Sequence, residues 1–224
     1  MTATSFVHLR LHSEYSLIDG LIDVKALVKR CVALGMPAVA VTDHVNLFAL
    51  VKFYKAAQAG GIKPIAGADI LLFNETEPAA PYPLTLLVQN DAGYRTLTQL
   101  ISRAYRENQH QGIPQVMTHW LDSHNTGLIA LSGARQGAIG RALLSDQRDE
   151  AQRLCEHWKA VFGDRSYQEL QRTGRPQEEP YIAGAIDLAL ALEIPVVATN
   201  DVRFLAAEEF EAHEARVCIH QGRV

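Results

Sequence analysis

Four short apolar runs in this sequence end on an imidazole or a carboxylate. FVHLRLH ends on His12, MPAVAVTD on Asp43 with His44 next, IKPIAGAD on Asp69, and IPVVATND on Asp201. Neutral imidazoles and ionised carboxylates are the donors that hold a divalent ion. A held ion lowers the pKa of its bound water, which is the chemistry of metal-assisted hydrolysis. Two arginines accompany these groups. Side chains alternate along a strand, so His8, Arg10 and His12 share one face, and Asp201 and Arg203 share one if the strand extends that far. A guanidinium stays protonated and cannot ligate a metal. It can neutralise a carboxylate cluster or grip a phosphate.

The elements that would position these groups recur as one phrase: a helix-period stretch, a Gly or Pro break, a short apolar run, then Asp. Val24, Leu27, Val28, Cys31 and Leu34 make a helical stripe within Asp23–Gly35. The same phrase is read over 47–60 and 181–193, each followed by one of the apolar runs above. Those runs are short, bounded by breaks and contain β-branched residues, which suits buried parallel strands. Further strands are predicted over 6–12, 84–88, 127–132 and 166–170, with helices over 91–106 and 149–162. Strands alternating with helices predict a parallel sheet with helices outside it. Periodicity leaves both an open doubly wound sheet and a closed barrel available. In either, ligand sites form at the C-terminal ends of the strands, where His12, Asp43, His44, Asp69 and Asp201 are expected. Asn74–Pro83 (NETEPAAPYP) reads as an excursion between two strands, and the chain reads as one domain.

Each group also has a plain structural reading. An Asp after a strand commonly caps a helix or makes a turn, and a His within a strand is commonly hydrogen-bonded structure. Their recurrence on one expected rim favours a site or its remnant. His110, His119, His124, His157, His213 and His220 lack such placement and are assigned no role. Trp120 and Trp158 read as packing residues, and Lys52, Arg172 and Arg175 as solvated surface.

The 224 residues are 48% hydrophobic with a formal net charge of -4. That balance supports one sizeable core and argues against a main DNA-gripping domain, which would be basic. No apolar run is long enough to cross a bilayer. The opening MTATSFVHLRLHSEYS lacks a basic segment followed by an apolar one, so it does not read as a secretory signal. Cys31, Cys155 and Cys218 are scattered and odd in number, as expected of reduced thiols in a cytoplasmic protein.

Several segments together resemble a known family. FVHLRLHSEYSLIDG, LGMPAVAVTDHVNL, VKFYKAAQAGGIKPIAGADI, NDAGYRTLTQLISRAY, GLIALSGA and PVVATNDVRFL occur in order from Phe6 onward. They resemble the polymerase-and-histidinol-phosphatase (PHP) domain that opens bacterial DNA polymerase III alpha subunits. The resemblance implies a distorted β/α barrel with helices outside a mostly parallel barrel. It also implies a cluster of metal ligands. His12 matches the second His of an opening HxH pair, Asp19 the acid of an SLxDG segment, His44 the His of TDH, and Asp201 the Asp of a late NDxH motif. Asp69 stands where the family usually has Glu. Other positions depart from the pattern: Arg10 and Arg203 replace His, and Pro83 and Ala134 occupy places where a ligand is common. Such losses resemble the PHP domains of proteobacterial replicases, which are regarded as non-catalytic.

The resemblance therefore implies a structural and subunit-docking module of DNA replication, without catalytic residues of its own. Its partners would be the remainder of the alpha subunit, the proofreading exonuclease subunit, and DNA through the full-length polymerase, with no membrane. The alternative is a working metal-dependent phosphoesterase. No cofactor is certain; His12, Asp19, His44, Asp69 and Asp201 are compatible with a residual Zn, Mn or Mg ion. Arg10 and Arg203 are expected to stand in for missing cations by pairing with Asp69, Asp201 or Asp19. The final HEARVCIHQGRV reads as unfinished, so the chain is expected to be a fragment of a larger polymerase subunit.

Overall fold

A computed structural model describes residues 6–223. The chain divides into two compact units, residues 1–67 with 200–224 and residues 68–199. In the first unit, α1 (Val24–Ala33) buries Val24, Leu27, Val28 and Cys31, the predicted stripe. Its N-terminus is capped by Asp23, whose carboxylate accepts a 2.8 Å bond from the Ala26 amide. The strand β1 (Ala38–Val41) is buried along its length. Helix α2 (Leu50–Gly60) ends on Gly61, whose φ of 69° is the left-handed conformation glycine adopts without penalty. The following strand β2 (Lys63–Leu72) pairs with β1 in parallel register, from Ala38↔Lys63 to Val41↔Ala66.

The predicted strand over 6–12 is replaced by an irregular extended segment. The Ala40 and Thr42 amides of this unit donate to the His8 and Leu11 carbonyls. The Thr42 hydroxyl, at 3.0 Å, takes the Leu11 amide, and a single bridge joins Leu11 to Val202. The side-chain bond substitutes for a regular ladder and lets the chain turn directly after His12. Leu11, Ile22, α1, β1 and Phe53 form the unit's apolar core, against which Val202 and Leu205 also pack.

In the second unit the strand order is β2-β3-β6-β7-β8, with β2 contributing its last residues. Here β3 is Tyr82–Val88, β6 Leu128–Leu131, β7 Ser166–Gln171 and β8 Val196–Thr199, each within a residue or two of its predicted place. The β6–β7 and β7–β8 pairings are parallel, and β3–β6 is antiparallel. Between β3 and β6 lie α3 (Asp91–Glu107), a small hairpin of β4 (Gln109–His110) and β5 (Ile113–Pro114), and α4 (Thr118–Ser123). Helices α5 (Ala138–Leu144) and α6 (Arg148–Phe162) lead to β7, and α7 (Glu178–Ala191) leads to β8. The Pro-rich excursion before β3 is a loop, organised by Asn74, whose side chain bonds to Thr76, Glu77 and Ala80. The last element of the first unit is α8 (Phe210–Gln221), which sequence periodicity did not reveal. All three cysteines are free thiols; burial pushes Cys31 up, and burial with the Glu156 charge pushes Cys155 up to about 12. Among the described residues, no helix is long and apolar enough to cross a membrane.

Candidate functional site

The site lies in the first unit and depends on the loop that follows His12. The loop closes on itself: Ser16 donates its amide to Ser13, and the Asp19 and Gly20 amides donate to Ser16. A side chain at Gly20 would place its Cβ 1.8 Å from the Ser13 carbonyl oxygen, so only glycine fits this turn. Asp43 fastens the loop to the end of β1. Its buried carboxylate accepts the Ser13 amide at 2.7 Å, the Ser13 hydroxyl at 2.7 Å and the Ser16 hydroxyl at 3.0 Å. The Ser16 hydroxyl in turn accepts the His44 amide at 3.0 Å. For Asp43, then, the structural reading holds: it is a clasp for the loop.

The clasp delivers Asp19 to the two histidines. Asp19 Oδ1 lies 3.2 Å from His12 Nδ1, and Oδ2 lies 3.4 Å from His44 Nε2. The two imidazoles meet edge to face, with centroids 4.3 Å apart. Donor atoms of His12, Asp19 and His44 all lie within 4.8 Å of one another, a grouping that could hold a metal ion. His12 is fully buried, whereas His44 keeps about a fifth of its side chain exposed, so the group is reached from the His44 side.

Arg203 enters the same group. Its Nη1 is ion-paired with Asp19 Oδ2, and Nη2 and Nε donate to Asp201 Oδ1 at 2.7 and 3.1 Å. One guanidinium thus bridges two carboxylates separated by more than 180 residues of sequence. Burial, followed by the positive charge of Arg10, pulls Arg203 down to about 9, which leaves it protonated at neutral pH. Arg10 itself is only 2% exposed. These residues fit a divalent cluster poorly. One of the two Asp19 carboxylate oxygens, Oδ2, is already ion-paired with a guanidinium. A second cation there would be repelled by on the order of several kcal/mol at the effective dielectric of a partly buried site.

Two further expected positions, Asp69 and Ala134, belong to the second unit. Asp69 is not at a strand end but inside β2, in the second unit, because β2 continues three residues past it to Leu72. It is fully buried and accepts the Thr85 hydroxyl at 2.5 Å. Ala134 is packed with Tyr181, Ile182 and Ala185 in an apolar cluster, so that position is core. His8 stacks edge-on against Phe6 at 4.9 Å, and burial pushes its pKa down. Sequence reading missed Glu169, a buried acid on β7 whose Oε1 receives Gln171 Nε2 at 3.1 Å. Its signal was available: in SYQELQ, Glu169 and Gln171 fall on one face of the strand. It also missed His213 and Arg216 on α8, which bond to the carbonyls of Asp19 and Leu17. No pattern in the chain marks those two.

Comparison with known proteins gives consistent results. The family model described as the PHP domain matches residues 8–173. DNA polymerase III subunit alpha of Pseudomonas fluorescens is 52% identical over 219 residues, and that of Escherichia coli K12 is 48% identical over 222. These alignments cover 98% and 99% of the chain but 19% of each relative, so the chain spans about a fifth of their length. The matched part of the relatives is their N-terminal region. Among solved structures, a protein of Bifidobacterium adolescentis provisionally named a metal-dependent phosphoesterase superposes with a TM-score of 0.61. It is 12% identical, with coverage of 95% of this chain and 96% of the other. An amidohydrolase of Chromobacterium violaceum, with bound sulfate and no metal, gives 0.58 at 14% identity over 94% and 96%. At such identity these likenesses speak to the fold, and it is the fold the resemblance implied.

Proposed function

The chain belongs to the PHP domain family, and from that premise we propose that it is a structural module of a replicative DNA polymerase III alpha subunit, its inherited cation position filled by Arg203. The observation that carries this reading is the Arg203 guanidinium bridging Asp19 and Asp201. A tethered guanidinium supplies the positive charge that keeps these carboxylates buried. It can neither lower the pKa of a water nor act as a Lewis acid. The module then has no catalytic residue, and Arg10 is a second resident cation near Arg203. The two compact units together make one PHP domain; a family match running through both supports this. DNA-directed DNA polymerisation belongs to the longer cytoplasmic protein of which this chain is a part, as the names of its relatives suggest. The partners are the remainder of that subunit, the proofreading exonuclease subunit, and DNA through the complete polymerase. A stop codon directly after Val224 in the gene would sink this assignment.

A second reading, a working metal-dependent phosphoesterase, is favoured by the grouping of His12, Asp19 and His44. In it these three hold a Zn, Mn or Mg ion, which would supply an activated water. One experiment separates the two: metal analysis of the purified chain, with hydrolysis of bis(p-nitrophenyl) phosphate measured in added Mn²⁺ or Zn²⁺. The structural reading expects metal well below one equivalent and no turnover above blank. Stoichiometric, tightly bound metal with robust turnover would overturn it.

A further inference from the structure

The loop that carries Asp19 is held from two sides, and the two fastenings differ. Asp43 grips its first half, at Ser13 and Ser16. The second half is reached from α8, the helix near the other end of the chain. His213 Nδ1 lies 3.0 Å from the Asp19 carbonyl oxygen, and Arg216 Nε donates to the Leu17 carbonyl at 3.1 Å. A carbonyl only accepts, so His213 carries its proton on Nδ1 in this contact. The ring is oriented by Phe204, 5.5 Å away between centroids, which also packs against Phe210 at 6.0 Å.

Besides α8, this half of the loop is fixed at its far end, where Leu21 donates its amide to the Arg203 carbonyl at 3.0 Å and Ile22 enters the core. Leu17 is 72% exposed, and α8 has no fully buried residue. Between the Asp43 clasp and that anchor, the backbone at Leu17 and Asp19, the residue on which both histidines and Arg203 converge, receives polar contacts from a helix whose contact residues lie 199 and 194 positions away in sequence. We infer that His213 and Arg216 are positioning residues, and that α8 is a latch setting the place of Asp19 between His12 and His44. This inference rests on the loop geometry alone, and holds whether a guanidinium or a metal ion faces Asp19.

The test uses the 224-residue chain with His213→Ala, Arg216→Ala, the double variant, and His213→Gln, whose side-chain amide can donate to the same carbonyl. Two signals are read: amide hydrogen exchange at Asp19 and Gly20, and the ring resonances of His12 and His44. Loss of two hydrogen bonds is expected to speed exchange at those amides by about tenfold in the double variant. Both imidazole resonances should shift, the amides of Ala40 and Lys63 in the β1–β2 region should be unchanged, and His213→Gln should restore the wild-type pattern. The latch is refuted if exchange and ring resonances are unaltered in the double variant. It is also refuted if exchange rises equally at Ala40 and Lys63 and His213→Gln restores nothing, since that reports general loosening.

Discussion

Two buried carboxylate sites, one in each unit, are held by opposite means. In the first unit, Asp19 and Asp201 share the Arg203 guanidinium, which is a sequence neighbour of Asp201 but comes to Asp19 from a distant part of the chain. In the second, Glu178 at the start of α7 is held by neutral donors from the five residues before it. It accepts the amides of Thr173, Gly174 and Arg175 at 2.7, 2.9 and 3.2 Å, and the Thr173 hydroxyl at 2.6 Å. A nest of N–H groups keeps a carboxylate ionised without adding a second charge. A buried ion pair needs both partners, and removing either leaves a charge in a poor solvent. Local dipoles and a distant counter-ion therefore fail differently when disturbed.

The largest expected effect comes from removing the counter-ion. Arg203→Met should destabilise the chain by about 3–5 kcal/mol, because two buried carboxylates lose their shared partner. Urea unfolding measures this, and a loss below about 1 kcal/mol would mean that other groups compensate them. Next is Asp43→Ala, which deletes the clasp of the Asp19 loop but introduces no unpaired charge. About 2–3 kcal/mol is expected from its charge-assisted bonds, with faster hydrogen exchange around Ser13 and Ser16. A value equal to that of Arg203→Met would erase the distinction between dipoles and counter-ions.

Glu178→Gln should be mildest, at about 1.5 kcal/mol, since an amide can keep part of the nest. It also carries a pH signature. Burial raises the Glu178 pKa, but the Thr173 hydroxyl and the amides of Thr173, Gly174 and Arg175 outweigh it, so the folded value lies below the ordinary 4.5. A depressed carboxylate stabilises above its unfolded pKa, and that contribution is lost as pH falls through the folded value. The gap between wild type and Glu178→Gln should therefore be constant near neutrality and close below about 4.5. A gap that widens on acidification would contradict this.

The same contrast explains what could be read in advance. The nest around Glu178 spans six residues but is built from backbone amides and was not read in the sequence, whereas the stripe of Val24, Leu27, Val28 and Cys31 spans eight and was. Side-chain patterns that short follow from backbone geometry, which repeats every 3.6 residues in a helix and every two in a strand. The placement of β1, β3, β6, β7 and β8 was legible on that ground. Asp69 was placed at a strand end because it is the first carboxylate to follow the apolar run. The strand continues because Ile70, Leu71 and Leu72 are equally suited to burial, and a run of apolar residues carries no mark of which will be last.

His12, Asp19, His44 and Asp201 were legible as ligand types, and Arg10 and Arg203 as cations beside them. Local order, apolar stripes, and the kinds of charge near the strand ends were thus determined by the sequence itself. That Asp43 is a clasp, that one guanidinium spans Asp19 and Asp201, and that α8 reaches the Asp19 loop were decided only by tertiary structure. The physical reason is range. Hydrogen bonds and ion pairs act over about 3–4 Å, and which residues come that close depends on how the whole unit packs, not on their neighbours along the chain.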